Sequence, residues 1–392
     1  MNATLGRPNT RVSITDLEAL IGIGAVPYDP PMDALTVADI KALARRWVLS
    51  IAPTMHGLVA AHLTGGITSL PDEAPFPAGK DVDLHLVVDE CSPAHIPAPG
   101  TIFPILDVDL DGIPLEAGIK ETSEYANPEA VLANPEIAVH LTTDTILFDP
   151  LGILARLLPI VRRDYARREW VQARLQHERD GYAAAMALLP MARAMSGAIG
   201  EHSILGYQMT FLPAALQVAT LSPLRLGGRA LVNLREQLDV RGELNLYEEV
   251  LAVLGLRSAT VAQAEAFLVE TAALFDRAVA VRVSPHPFQH KLNPHQRGYL
   301  VDGCRRMIDE GFHREALGWA SPYYGASTDI LLADGPASDH AEVMECRAAM
   351  LRLLDRESEA EQAESVERAR RVADEIFALA ETVIASHPEI RD

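Results

Sequence analysis

Apolar and polar positions alternate with a period of two in a stretch near residue 80. Asp81, Asp83 and His85 fall on one side, and Val82, Leu84, Leu86 and Val88 on the other, which predicts a half-buried strand. The alternation returns where Leu106, Val108 and Leu110 oppose Asp107, Asp109 and Asp111, in a strand expected from Ile102 to Leu110. Leu58 to Leu63 is short and apolar and runs into Thr64-Gly65-Gly66, so it reads as a helix end or a buried strand feeding a tight turn. Thr145 to Phe148 is expected as a further short strand. The stretches Ser69 to Lys80 and around Pro93, Pro97 and Pro99 are proline-rich and read as loops.

Helical patterns flank these strands. Ile14 to Ile23 shows a short one before Pro27, Pro30 and Pro31. Thr36 starts another, with Asp39 three residues on as a capping box, and Leu43, Trp47 and Leu49 are expected on one side of it. Asn127 to Ala133 reads as helix. Beyond Gly152 the period is 3.6 almost throughout: Leu151 to Leu189, Leu224 to Val240, Tyr247 to Leu254, Thr260 to Val279, Gly298 to Glu310 and Ala341 to Ala385. Pro- and Gly-rich breaks are expected at Ser284 to Pro294 and Ser321 to Ser338. The chain of 392 residues is long enough for about two domains. The expected fold is α+β: a small mixed-sheet domain over residues 1–150, then an all-helical bundle over residues 151–392.

Charge narrows the classes of partner. The formal net charge is −20, and a duplex binder ordinarily needs a basic stripe. The densest basic run, Arg162-Arg163 through Arg167-Arg168, is interleaved with Asp164 and Glu169 and reads as a solvated helix face. Nucleic acid is therefore not the expected partner, and the acidic balance favours a cationic small molecule. Cys91, Cys304 and Cys346 are odd in number and widely spaced, which suits neither a disulfide framework nor a thiolate metal site. No apolar signal core opens the chain and no transmembrane helix is expected, so the reading is a cytoplasmic protein.

The acidic strands carry the candidate chemistry. Asp81 and Asp83 point the same way with Cα atoms about 6–7 Å apart. Paired carboxylates repel unless cations neutralise them, and such oxygen donors suit Mg²⁺. A third carboxylate on a neighbouring strand completes a clamp for phosphoryl transfer. Alternating acids on a solvent-facing strand are the bland alternative. The Gly65-Gly66 turn ahead of the acids tips the balance, because glycines let backbone N–H groups approach phosphates closely.

The run HLTGGITSLPDEAPFPAGKDVDLHLVV resembles the signature of the DNA-polymerase-β-like nucleotidyltransferases: an apolar segment, Gly-Gly or Gly-Ser, a loop, then Asp-hydrophobic-Asp on a strand. ILFDPLG at residues 146–152, with the helical second half, resembles the bacterial aminoglycoside-type members. The resemblance implies that Gly65 and Gly66 contact the triphosphate and that Asp81 and Asp83 hold metal. Asp107 is implied as the third carboxylate, with Asp109 as the alternative. Two Mg²⁺ ions and ATP or another NTP are implied, with a small hydroxylated acceptor. Many members have Gly-Ser where this chain has Gly65-Gly66, so Ser69 or Thr68 is the candidate replacement hydroxyl. Asp107, Asp109 and Glu116 are all candidates for general base. A toxin-like enzyme acting on tRNA or protein, and a non-catalytic nucleotide sensor, are the competing readings.

Weaker constellations lie in the second half. His286, His290 and His295, with Lys291 and Arg297, have no zinc spacing and read as a polar loop near the cleft. His313-Arg314-Glu315 reads as an ion-paired helix end, Tyr323-Tyr324 as packing, and Glu248-Glu249 as a solvated face. Each has a functional alternative in the same cleft.

Overall fold

The computed structural model describes residues 35–77, 79–89, 105–225 and 227–392. The Ile14 to Ile23 pattern, Cys91 and the start of the Ile102 strand lie outside them.

Helix α1 (Val37–Ile51) starts as its sequence dictates: the Thr36 hydroxyl accepts from Asp39 N–H, and the Asp39 carboxylate accepts from Thr36 N–H. Its buried stripe is Val37, Ile40, Ala44 and Val48, at helical spacing. Leu43 and Trp47 flank that stripe, but Leu49 is 48% exposed, because two residues on from Trp47 the helix has turned by about 200°.

Among the described residues five strands follow: β1 (Leu58–Thr64), β2 (Val82–Val88), β3 (Ile105–Leu110), β4 (Ile113–Glu121) and β5 (Ile146–Phe148). They form one mixed sheet in the order β3-β4-β2-β1-β5. Only β2 and β4 are parallel. Leu58 to Leu63 is thus strand rather than helix end. Strand β4 is absent from the sequence expectation. One sheet face packs Val82, Leu84, Leu86 and Leu115 against α1. The other is graded along β2. Val87, at its inner end, joins Ala60, Tyr125, Val131 and Leu157 in a second apolar cluster. His85 comes next, and Asp83 and Asp81 are outermost.

Helices α2 (Pro128–Ala133), capped by Asn127, and α3 (Pro135–Ala138) connect β4 to β5. Among the described residues every regular element after β5 is a helix: α4 (Ile153–Asp164), α5 (Arg168–Met209), α6 (Phe211–Ala219), α7 (Ala230–Asp239), α8 (Leu244–Val253), α9 (Val261–Val281), α10 (Gln296–Asp309), α11 (His313–Asp334), α12 (His340–Leu353) and α13 (Glu359–Ser386), with short 3-10 turns between some of them. The layout is therefore mixed α+β, a small sheet followed by a helical bundle with its own core.

Several helix limits differ from expectation. Leu151 to Leu189 is two helices, and the second runs on to Met209 with a kink at Ser196-Gly197, whose backbone is non-helical. Helix α7 begins at Ala230 rather than Leu224. The expected Ser321 to Ser338 break is largely the interior of α11, which carries Pro322 and Gly325 within it. Tertiary packing overrides local propensity there: Tyr323 and Tyr324 are fully buried, and a Cβ on Gly325 would lie 2.8 Å from Ile199. Ala341 to Ala385 divides at Asp355, which has φ +50°. Within the run Arg168–Ala219 an 18-residue window reaches a mean hydropathy of 1.3, which by length and composition alone is apolar enough to cross a membrane. The described structure interrupts this run at Ser196-Gly197 and again at Thr210.

Candidate metal centre and its cleft

The pairing register builds the site. Thr64 pairs with Asp83, Asp83 with Glu116, and Glu116 with Asp107, so one row of side chains crosses β1, β2, β4 and β3 on a single face. Paired neighbours on a sheet share a face. Asp81, just before β2, lies on the same face two residues from Asp83. Asp81, Asp83 and Glu116 each offer a carboxylate oxygen, all within 4.8 Å of one another. Hard oxygen donors at this separation fit a divalent ion such as Mg²⁺.

The third acid of the cluster is Glu116, not Asp107 or Asp109. Asp107 occupies the same row but stands two strand spacings from Asp83, about 10 Å away. Its carboxylate is taken by the helical half: it accepts from His295 Nε2 and Gln296 Nε2, both at 2.8 Å, and from Asn293 Nδ2. Asp109 is exposed and accepts from Gly112 N–H in the β3–β4 turn at 2.6 Å. Glu116 was within reach of sequence reasoning only as a residue following a strand. The signal that places it inside β4 is Asp111-Gly112 between two alternating runs, a hairpin turn with φ +52° and +87°. That turn sets Leu110 against Ile113 and Asp107 against Glu116.

Gly65 and Gly66 begin a 3-10 turn, Gly65–Ser69, at the end of β1. A Cβ on Gly65 would meet the Asp83 carboxylate at 2.1 Å, so the turn and the metal-type cluster touch. His140 braces this turn. Gly65 N–H donates to His140 Nε2 at 3.3 Å, and the Thr68 hydroxyl donates to Gly65 C=O at 2.8 Å. His140 Nδ1 lies 3.4 Å from that hydroxyl, which closes a ring if Nδ1 carries the proton. Burial holds His140 down at about 3, so the ring is neutral. The Ser69 hydroxyl donates to Gly66 C=O at 3.1 Å, so both candidate hydroxyls turn back onto their own turn.

The electrostatics are those of a site short of positive charge. Burial pushes the Asp83 carboxyl well above its ordinary value, and its acidic neighbours Asp81 and Glu116 add to this. Asp81 is also raised, mainly by burial, against the pull of Lys291. Lys80 is lowered by burial, although Asp81 and Asp83 oppose that. For Lys291 burial works against the charge, but Glu116 and Asp81 outweigh it and hold the ammonium above its ordinary value. Behind the acids, His62 and His85 share the Tyr125 hydroxyl, and burial holds His62 at about 4.

The cluster opens into a cleft of about 640 Å³ between the sheet and the helical half. The turn side contributes Gly65, Gly66, Ser69 and Lys80. Arg225 and Arg229 line the opposite wall with Arg306 of α10. Tyr299 and Trp319 supply aromatic surface, their rings edge to face at 5.7 Å. The residues singled out elsewhere in the helical half are engaged away from this cleft. Glu248 pairs with Arg314, Glu249 with Arg257 and Arg368, and His286 with Asp329. Glu315 is buried against the Tyr247 hydroxyl.

Comparison with known proteins finds no matching family model, no matching curated protein and no matching solved structure.

Proposed function

We propose that this protein is a metal-dependent nucleotidyltransferase that moves a nucleotidyl group, AMP from ATP by preference, to a hydroxyl of a small acceptor and releases pyrophosphate. The observation that carries the reading is the convergence of Asp81, Asp83 and Glu116 against the Gly65-Gly66 turn at the floor of a cleft. On this reading the small mixed sheet is the catalytic part and the helical half binds the acceptor.

The chain's own groups have definable tasks. Gly66 N–H, Lys80, Arg225, Arg229 and Arg306 are the donors for triphosphate oxygens, and Tyr299 and Trp319 offer faces to a base. Asp81 and Asp83, with Glu116 beside them, would hold the divalent ion, which when bound would supply charge neutralisation at the α-phosphate and the departing pyrophosphate. Attack by the acceptor oxygen forms the new P–O bond as the bond to the bridging oxygen breaks; pyrophosphate leaves with the electron pair, and the hydroxyl proton passes to solvent. Positioning and electrostatic stabilisation account for most of such catalysis. A cleft of this volume suits a small acceptor.

The double variant Asp81→Asn/Asp83→Asn is expected to lose pyrophosphate release from ATP and Mg²⁺ over a panel of hydroxylated acceptors, with its melting temperature close to wild type. Release at the wild-type rate would overturn the reading.

A further inference from the structure

Lys291 enters the acid cluster from the helical half, in the single 3-10 turn Gln289–Lys291. Its Nζ bonds Glu116 Oε1 and lies 3.9 Å from Asp81 Oδ2. The side chain is 11% exposed, and the ammonium sits 5.1 Å over the Tyr299 ring. The turn is held in place on its far side, where Leu292 is fully buried and Asn293 donates to Asp107. Glu116 Oε1 also accepts from Gln296 Nε2 at 2.9 Å, so this oxygen already serves two donors.

Asp83 is in the opposite condition. Among the described residues nothing donates a hydrogen bond to its carboxylate or pairs with it. It faces Gly65, on the Lys80 side of the cluster. The three acids therefore divide into a satisfied end at Glu116 and an unsatisfied end at Asp83. A dication shared by all three would have to use Glu116 Oε2, since Oε1 serves Lys291 and Gln296, and would sit against the buried ammonium. One held by Asp81 and Asp83 on the Gly65 side would leave Glu116 to Lys291 and Gln296, with the ammonium, 3.9 Å from Asp81 Oδ2, as its neighbouring charge.

We propose that this centre holds one divalent ion, between Asp81 and Asp83, and that the Lys291 ammonium is the permanent second positive charge, at Glu116. This rests on the nucleotidyltransferase reading and departs from it in one respect, since the resemblance implies two ions. Lys291 acts here as a positioning and charge-supplying residue. Its contribution comes from the helical half, so the charge of the site is complete only when that half is docked on the sheet.

The test counts ions on the full chain, with Mn²⁺ and α,β-methylene-ATP as probes, by calorimetry and electron paramagnetic resonance. Wild type is expected to take one Mn²⁺ per chain, with the spectrum of an isolated ion. Lys291→Arg should also take one. Lys291→Met, checked for folding by its melting curve, should take two, close enough for spin exchange. Two ions in wild type, or one in both wild type and folded Lys291→Met, overturns the inference. Should Lys291→Met not fold, the wild-type count still decides. Wild type that binds no Mn²⁺, and so behaves like an Asp83→Asn control, overturns the nucleotidyltransferase reading itself and the inference with it.

Discussion

Gly65 has φ +62° and leaves no room for a side chain, because the Asp83 carboxylate lies where its Cβ would be. Two physical demands meet at this residue: a left-handed backbone at the end of β1, and direct contact with the acid cluster. An alanine there pays the left-handed penalty and pushes Asp83 aside. Gly65→Ala is therefore expected to cost about 1–3 kcal/mol of stability, seen as a melting temperature lower by several degrees, and to weaken Mn²⁺ binding at least about tenfold. A melt and an Mn²⁺ titration check it, and unchanged Mn²⁺ affinity would remove Asp83 from the ligand set. At this scale the sequence was informative. The shared face of Asp81 and Asp83 is legible from spacing alone, because strand periodicity acts within one segment, whereas Gly65 drew its weight from the acids that follow it. The brace from His140 was not legible, since it arrives from 75 residues away.

At the scale of the element, the β3–β4 hairpin decides which acid joins the cluster. Asp107 and Glu116 are paired across it, so they share a face, and only the strand order tells them apart. Strand β4 lies next to β2, and β3 is the edge. The edge position frees Asp107 to bind the segment that carries Asn293, His295 and Gln296. Burial lowers His295, but the hydrogen bond and charge of Asp107 outweigh it, and the net shift is upward. Glu116→Gln leaves the Lys291 ammonium uncompensated beside Asp81 and is thus expected to reduce Mn²⁺ affinity strongly. Asp107→Ala should keep Mn²⁺ binding within about threefold of wild type, a loss below about 1 kcal/mol, while exposing the 284–294 segment to limited proteolysis. The reverse result would return Asp107 to the role the sequence suggested for it. Asp111-Gly112 was the readable clue to β4. The crossover that puts β4 beside β2 was not readable, because parallel pairing leaves no local mark.

Buried titratable groups set the response of the whole molecule to pH. Burial holds His62 near 4, and His140 and His202 near 3, against an ordinary 6.5. A histidine depressed in the folded state contributes stability above 6.5 that is lost as pH falls toward the folded value. Glu178 behaves oppositely: burial, aided by Glu136, raises it from 4.5 to about 8. Its contribution is complete below 4.5 and gone once pH has risen through about 8. The wild-type melting temperature should therefore peak near neutrality. Glu178→Gln should remove the alkaline decline, so its advantage over wild type grows from pH 5 to pH 8. Melting curves across pH 4–9 measure this, and an advantage that does not change with pH would mean Glu178 titrates normally. Three apolar clusters, two on opposite faces of the sheet and one in the bundle, make up the core of the described residues.

The sequence by itself determined the local pieces: the acidic strand, the glycine turn, the capped first helix and the change from a period of two to one of 3.6. Each depends on side chains only a few residues apart, where backbone geometry converts spacing directly into position. The tertiary structure alone decided that Glu116 rather than Asp107 completes the acid cluster. It also decided that Lys291 enters that cluster from 175 residues away and that helix α11 runs straight through Pro322 and Gly325. Those outcomes depend on strand order and on close packing between distant segments. Both are settled by burial of the whole chain, which no local periodicity encodes.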